Sequence, residues 1–285
     1  MNATCDVRAA LPTSEGGRWL ARLDRVPPLA WLGVHAAALW PHWRWAAARV
    51  ADGSDDPLGL AALAVFAMLV ARVAPRLTAR PDTRWLVAAA AGTAIATTAT
   101  FVLPPLLGAV FAALALACAA RAFLPSGHAA LPLMGLSVLA LPVVSSLQFY
   151  AGFPLRVVTA QLSTWVLQAA GFVAERTGTA MQVDGRLVIV DAPCSGVQMV
   201  WMAYFAACAV AGWHGLRDRA FLQRLPAAGA FVLAGNVVRN SVLVGLEARH
   251  VAVSESLHQG IGLVVLAMVC WGVVTVMRGG RRDDV

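Results

Sequence analysis

The chain has 285 residues, of which 59% are hydrophobic and only 13% are charged. Soluble domains carry about a quarter charged residues, so this composition excludes an ordinary soluble protein. The formal net charge of +7 comes from arginine, because the chain contains no lysine. The arginines stand in short clusters between hydrophobic runs, which is typical of membrane topology signals and not of a nucleic-acid-binding face. The sequence therefore predicts a polytopic membrane protein with the lipid bilayer, and no nucleic acid, as its partner.

Apolar segments long enough to cross a bilayer core of ~30 Å predict an all-α fold with about eight transmembrane helices. We place a polar N-terminal segment at 1–26, five helices within 27–150, an extracytoplasmic loop at 151–191, three helices within 192–277 and a tail at 278–285. The eight predicted segments are about 27–43, 57–75, 84–103, 105–122, 129–150, 192–213, 225–246 and 257–277.

The arginine clusters also predict the orientation of the chain. If the N-terminus lies inside the cell and the chain crosses the membrane eight times, all the main arginine clusters fall on the cytoplasmic side. The predicted topology is therefore N-in and C-in, in the cytoplasmic (inner) membrane. The clusters are Arg8 to Arg25, Arg76 to Arg84, Arg121, Arg217 to Arg224 and Arg278 to Arg282. The opposite loops hold the acidic residues Asp52, Asp55, Asp56, Asp184, Asp191, Glu247 and Glu255.

The loop at 151–191 is the longest on the predicted outer side. A mixed helical stretch near Val157–Val173 is expected to lie in the membrane interface or to re-enter the membrane. Apolar residues alternate between Met181 and Val190 on both sides of Asp184-Gly185, a pair that suits a type I′ turn. We therefore predict a small β-hairpin there, which could pair with an extended peptide.

The segment before and into the sixth helix, 191–196, contains a cysteine in an unusual setting. We predict that Pro193 opens the helix and that Cys194 lies in its first turn, where backbone N–H groups lower a thiol pKa and stabilise an oxyanion. Gly196 would allow another segment to approach closely. Ser195 is an alternative nucleophile, and Asp191 is either a partner of another site residue or a solvated loop acid. A cysteine that merely packs at a helix start remains an equal alternative.

The seventh segment contains an arginine within an apolar helix. Such a residue costs roughly 2.5 to 3.5 kcal/mol on insertion scales, which makes Arg239 a candidate functional residue. Asn236, Arg239 and Asn240 follow i, i+3, i+4 spacing and so share one helix face. The alternatives are that Arg239 snorkels, pairs inside the bundle, or binds an anionic solute in a transporter or non-catalytic protein.

A histidine begins the eighth segment in His258-Gln259-Gly260-Ile261-Gly262, and His250 in the preceding loop competes for the same role. The topology predicts that Cys194, Arg239 and His258 lie at one level near the outer face. A thiol, an imidazole and a guanidinium together suit a cysteine acyl-transfer centre. The histidine would move protons, and the guanidinium would stabilise the oxyanion.

These residues resemble the motifs of the exosortase/archaeosortase family. The shared features are Cys-Ser-Gly at 194–196, Asn-x-x-Arg at 236–239 and His-x-x-x-Gly at 258–262, and Pro154-Leu155-Arg156 resembles the family's entry to this region. The resemblance implies a membrane-embedded cysteine peptidase or transpeptidase. Its partners would be membrane-anchored exported proteins that end in a Pro-Glu-Pro-type (PEP-CTERM) motif, an apolar helix and a basic tail. The family is also linked to exopolysaccharide production.

The resemblance further implies catalytic roles for Cys194, Arg239 and His258. We expect supporting roles for Arg156, Asp191, Ser195, Gly196, Asn236 and Asn240. The site would face the periplasm or the cell exterior. Of the four other cysteines, Cys118, Cys208 and Cys270 lie in apolar segments and are expected to pack as small hydrophobes. No zinc spacing and no HExxH motif occur, so we expect neither a metal nor a cofactor.

Overall fold

A computed structural model describes residues 26–78, 80–125, 128–189, 196–251 and 253–279 of the chain. Within them the protein is mostly helical and carries one small antiparallel sheet in the order β1-β2-β3. The helices are α1 (Pro28–Ala38), α2 (Trp40–Ala51), α3 (Gly59–Val73), α4 (Thr83–Val102), α5 (Pro105–Phe123), α6 (Leu131–Leu139), α7 (Val144–Ala169), α8 (Val197–His214), α9 (Asp218–Ala248) and α10 (Glu255–Arg278). The strands are β1 (Ala174–Thr177), β2 (Ala180–Val183) and β3 (Arg186–Ile189).

Five helical segments in the described part of the chain are long and apolar enough to cross a membrane: α3 with its short extension to Arg76, α4, α5, α9 and α10. A sixth is reached if α6 and α7 count as one bent span. The predicted polytopic, helical architecture is thus confirmed, whereas the count of eight crossings is not. The helix α8 corresponds to the sixth predicted segment but is not among the five.

Two of the predicted segments are broken by prolines. The first, 27–43, divides at Leu39 into α1 and α2, because Pro41 stands at the start of α2 and lacks the N–H that would continue α1. The fifth, 129–150, is also wrong as a continuous helix. Pro142 lies in the gap between α6 and α7, and the two helices bend by 99°. The stretch that we expected from Val157 is therefore the second half of α7.

Small residues bring several helices close together. Gly92 on α4 faces α5, where a Cβ at that position would lie 3.1 Å from the Cβ of Ala115. On the other side of the bundle, Gly135 of α6 leaves room for the thiol of Cys208 on α8. Trp201 of α8 is fully buried in the same core and stacks on Phe205 with ring centroids 5.2 Å apart. Close approach of this kind provides the van der Waals contact that holds helices together in lipid.

The predicted hairpin is present, and a third strand extends it. Asp184 and Gly185 have φ angles of 49° and 83°, as a type I′ turn requires, and connect β2 to β3. The carboxylate of Asp184 also accepts a hydrogen bond of 2.9 Å from the backbone N–H of Val173, just before β1. A second small core, of Ala160, Leu167, Ala174, Met181, Val183, Val244 and Ala248, joins the sheet to the ends of α7 and α9.

Candidate active site

Of the predicted cysteine segment, 191–196, the structure describes only Gly196. Cys194, Ser195 and Asp191 lie outside the described residues. The helix α8 begins at Val197, with Gly196 as its N-cap, which is later than the start that we predicted at Pro193. The physical reason is visible at Gly196, whose φ of +79° is incompatible with a right-handed helix. The predicted first-turn position of Cys194 falls outside the described residues.

Gly196 is closely packed against α9. A Cβ at this position would lie 2.8 Å from Cγ of Asn236 and 2.9 Å from its Nδ2, so a larger residue would collide with a buried amide. Both the left-handed backbone and the close approach therefore require glycine. The predicted close approach at Gly196 is confirmed, and it joins the start of α8 to α9.

We expect Gly196→Ala to lower the stability of the protein. A non-glycine residue in the left-handed region costs about 1–2 kcal/mol, and the new methyl group would also displace Asn236. The prediction is a lower midpoint of thermal unfolding for the purified protein in detergent. Gly260→Ala is the matched control, because Gly260 is helical and no atom lies within 4 Å of a Cβ placed there. Equal midpoints for the two variants would contradict the prediction.

Arg239 and His258 are brought together as the topology predicted. Nη2 of Arg239 lies 2.9 Å from Nε2 of His258. A guanidinium only donates hydrogen bonds, so Nε2 is the acceptor and the neutral imidazole carries its proton on Nδ1. His250, the competing candidate, instead contacts Arg186 of β3. Among the two histidines, His258 is therefore the one that shares a site with Arg239.

Local features of α10 place His258 and leave space for Arg239. The hydroxyl of Ser254 accepts a hydrogen bond of 3.3 Å from the N–H of Leu257, which caps the helix and sets His258 in its first turn. Gly262 follows His258 by four residues and lies on the same face. A Cβ at Gly262 would lie 3.3 Å from Nε of Arg239, so the missing side chain makes room for the guanidinium.

The polar residues Asn236, Arg239 and Asn240 of α9 contact two different neighbouring helices. Asn236 and Asn240 are 3% and 5% exposed and turn towards α7, whereas Arg239 turns towards α10. Nδ2 of Asn236 donates to Oγ1 of Thr159 at 3.0 Å, and Nδ2 of Asn240 donates to Oγ of Ser163 at 3.1 Å. We call these four residues the α7–α9 polar ladder. The ladder fixes the rotation of α9 and thereby the direction of Arg239.

Thr159 and Ser163 were not predicted as site residues from the sequence. Their spacing was the available sequence signal. Thr159 and Ser163 have the same i, i+4 spacing as Asn236 and Asn240, so the two pairs could form hydrogen bonds one to one. Arg156, which was predicted as a supporting residue, lies on the same helix. Its Nε donates to the carbonyl of Gly152 at 3.4 Å, and it is not among the described residues that line the cavity around Arg239.

Arg239 and His258 line a cavity of about 580 Å³, which Gly196 also borders. Two carboxylates stand at the cavity, and each is held by a glutamine. Nε2 of Gln198 donates to Oδ2 of Asp56 at 3.1 Å, and Nε2 of Gln259 donates to Oε1 of Glu255 at 2.7 Å. The wall is otherwise apolar, with Met199, Met202, Leu263 and Leu266. A volume of this size admits several residues of a peptide or a drug-sized molecule.

The fold and this cavity define a membrane-embedded helical protein with a partly buried polar site near one end of its bundle. The model of the transmembrane exosortase family matches residues 25–275, which is most of the chain. The chain therefore belongs to the transmembrane exosortase family, a cysteine transpeptidase family that acts on exported proteins with sorting signals. No curated protein and no solved structure matches the chain significantly.

Proposed function

We propose that this protein cleaves PEP-CTERM-type C-terminal sorting signals of exported proteins, at the outer face of the cytoplasmic membrane, through a thioester on Cys194. The observation that carries the proposal is the Arg239–His258 pair, whose atoms lie 2.9 Å apart in a cavity that Gly196 borders. Cys194 precedes Gly196 by two residues, and two residues of extended chain span at most about 7 Å. The thiol is therefore within reach of the cavity.

The proposed reaction assigns one role to each of the three residues. The sulfur of Cys194 attacks the scissile carbonyl carbon and forms the S–C bond, while the thiol proton passes to His258. Arg239 donates hydrogen bonds to the oxyanion of the tetrahedral intermediate. The C–N bond then breaks, and His258 returns the proton to the leaving amine. Water or an acceptor amine then attacks the thioester carbonyl and gives up a proton, which passes through His258 to the sulfur. The S–C bond breaks, the thiol of Cys194 is restored, and the acyl group leaves as a carboxylic acid or an amide.

The hydrogen bond between Arg239 and His258 suggests an order of events in this scheme. In the substrate-free site, Nε2 of His258 accepts from Arg239 and cannot take the thiol proton. A substrate carbonyl that binds Arg239 would draw the guanidinium away and free Nε2. Substrate binding would thus switch on the base next to Cys194 and limit reaction of the thiol in an empty site.

The cavity is continuous with the apolar surface of the bundle. Leu263 lines the cavity, yet 67% of its surface is exposed on α10, and Met268 and Trp271 extend the same exposed surface. A substrate whose apolar helix lies in the bilayer could therefore enter sideways with its short motif at the cavity. Within the described residues β3 is an edge strand of the sheet, and it precedes Cys194 in the sequence. An extended substrate could pair with this strand.

A reporter assay tests the proposal. An exported reporter would end in a Pro-Glu-Pro-type motif, an apolar helix and an arginine cluster, and would be produced with and without this protein. We expect a shorter reporter, with a new C-terminus at the motif by mass spectrometry, only when the protein is present. A reporter with the motif changed to alanines is the control. Unprocessed reporter in membranes that contain the folded protein would overturn the proposal.

A further inference from the structure

A second cavity lies at the other end of α8 from the candidate active site. It has a volume of about 430 Å³ and lies where the end of α3, the start of α6 and the end of α8 meet. Since α8 has 18 residues, its two ends are separated by about 27 Å. The arginine distribution predicts that this end of the bundle faces the cytoplasm. The second cavity is therefore separate from the site that contains Arg239.

The second cavity is strongly basic. Arg72, Arg76, His128 and His214 line it, and no acidic residue does so among the described part of the chain. Apolar side chains, including Leu69 and Leu133, form the rest of the wall. Two permanent positive charges in one cavity repel each other, and an anion would relieve that repulsion.

The guanidinium of Arg72 is oriented by two contacts with Trp213. Its Cζ lies 4.0 Å from the centroid of the Trp213 ring, and its Nη1 donates to the carbonyl of Trp213 at 3.2 Å. A guanidinium has five N–H donors, so four remain after this contact. Because the stacking fixes the plane of the guanidinium, those donors form a preorganised fork of the kind that binds phosphate.

Capping of α8 explains only part of this arrangement. A cation at a helix C-terminus interacts favourably with the last carbonyl groups, and Arg72 makes one such contact. That role does not require Arg76 or His128, which come from other segments and line the same cavity. The additional basic groups need a different explanation.

We propose that the second cavity binds a phosphate group, carried either by an anionic phospholipid headgroup or by a free phosphate species. Basic cavities between transmembrane helices on the cytoplasmic side commonly bind lipid headgroups. The leucine side chains in the wall would contact the first carbons of a lipid chain. The bound phosphate would join α3, α6 and α8 at this end, and the inference does not depend on the proposed catalytic function.

Native mass spectrometry of the purified full-length protein tests the site with dioleoylphosphatidylglycerol and dioleoylphosphatidylcholine. We expect retention of the anionic lipid at least tenfold above the neutral one. R72Q/R76Q should lose this preference. R80Q/R84Q is the matched control, because it removes two exposed arginines from the same predicted side and neither lines the cavity. If R72Q/R76Q does not fold, Arg72→Lys, which keeps the charge but not the planar fork, should weaken retention.

A competition experiment with millimolar inorganic phosphate distinguishes a lipid headgroup from free phosphate as the ligand. Displacement of phosphatidylglycerol would show that the cavity takes free phosphate as well, and persistence would show that it requires the lipid. Both results agree with a phosphate site. Unchanged retention in R72Q/R76Q, or an equal loss in R80Q/R84Q, would overturn the proposal, because the preference would then be a property of the whole basic surface.

Discussion

Replacement of Cys194 by alanine is expected to abolish processing of a sorting-signal reporter. The thioester cannot form without the sulfur, and loss of the nucleophile in a catalytic set of this kind lowers turnover by at least about 10⁴-fold. Arg239 and His258 would still be paired, so the variant should retain the fold and its level in the membrane. The measurement is the amount of shortened reporter, normalised to the amount of variant protein in the membrane fraction.

Two control variants make the Cys194 experiment specific. Ser195→Ala should retain processing, because the neighbouring hydroxyl is not the proposed nucleophile. Cys208→Ala should also retain it, since Cys208 is a buried core residue that packs against Gly135. Processing by Cys194→Ala but not by Ser195→Ala would move the nucleophile to the serine. Full processing by both variants would favour the non-catalytic alternative, in which Arg239 binds an anionic solute.

The sequence predicted the parts of the fold that depend on local composition. Apolar length indicated α4, α5 and α10 closely, and Asp184-Gly185 indicated the β2–β3 hairpin because few residue pairs suit a type I′ turn. The bend between α6 and α7 was missed. Hydropathy runs continuously across Pro142, and only the packing of the neighbouring helices determines whether a proline kinks a helix or ends it.

The candidate site was also predicted only in part, because helix packing is not visible in the local sequence. The membrane topology placed Arg239 and His258 at one level, and the structure brings them together. Topology gives depth but not rotation about the helix axis. The i, i+4 spacing of Thr159 and Ser163 matches that of Asn236 and Asn240, but spacing alone does not show that the two helices are neighbours. Only the bend places α7 beside α9. The helix start near Cys194 was also misplaced, because it depends on the positive φ of Gly196.

Arg239→Lys is expected to lower turnover by about 10² to 10³-fold, the usual effect of removing one oxyanion donor. Lysine keeps the positive charge, so the change tests geometry and not charge. Nη2 of Arg239 reaches His258 while its Nε lies against Gly262, and a single ammonium group cannot occupy both positions. The measurement is kcat and KM for a peptide substrate in detergent, with most of the loss expected in kcat.

The result for Arg239→Lys distinguishes two roles of Arg239, a point charge and a planar contact to the oxyanion. Arg84→Lys, at an exposed position on α4, is the control for arginine-to-lysine exchange and should leave kcat unchanged. If Arg239→Lys behaves like this control, Arg239 acts as a point charge and the planar oxyanion contact is wrong. A large loss in kcat at constant membrane level means instead that the guanidinium fork acts in the transition state, which also requires the α7–α9 polar ladder to hold α9 in its observed rotation.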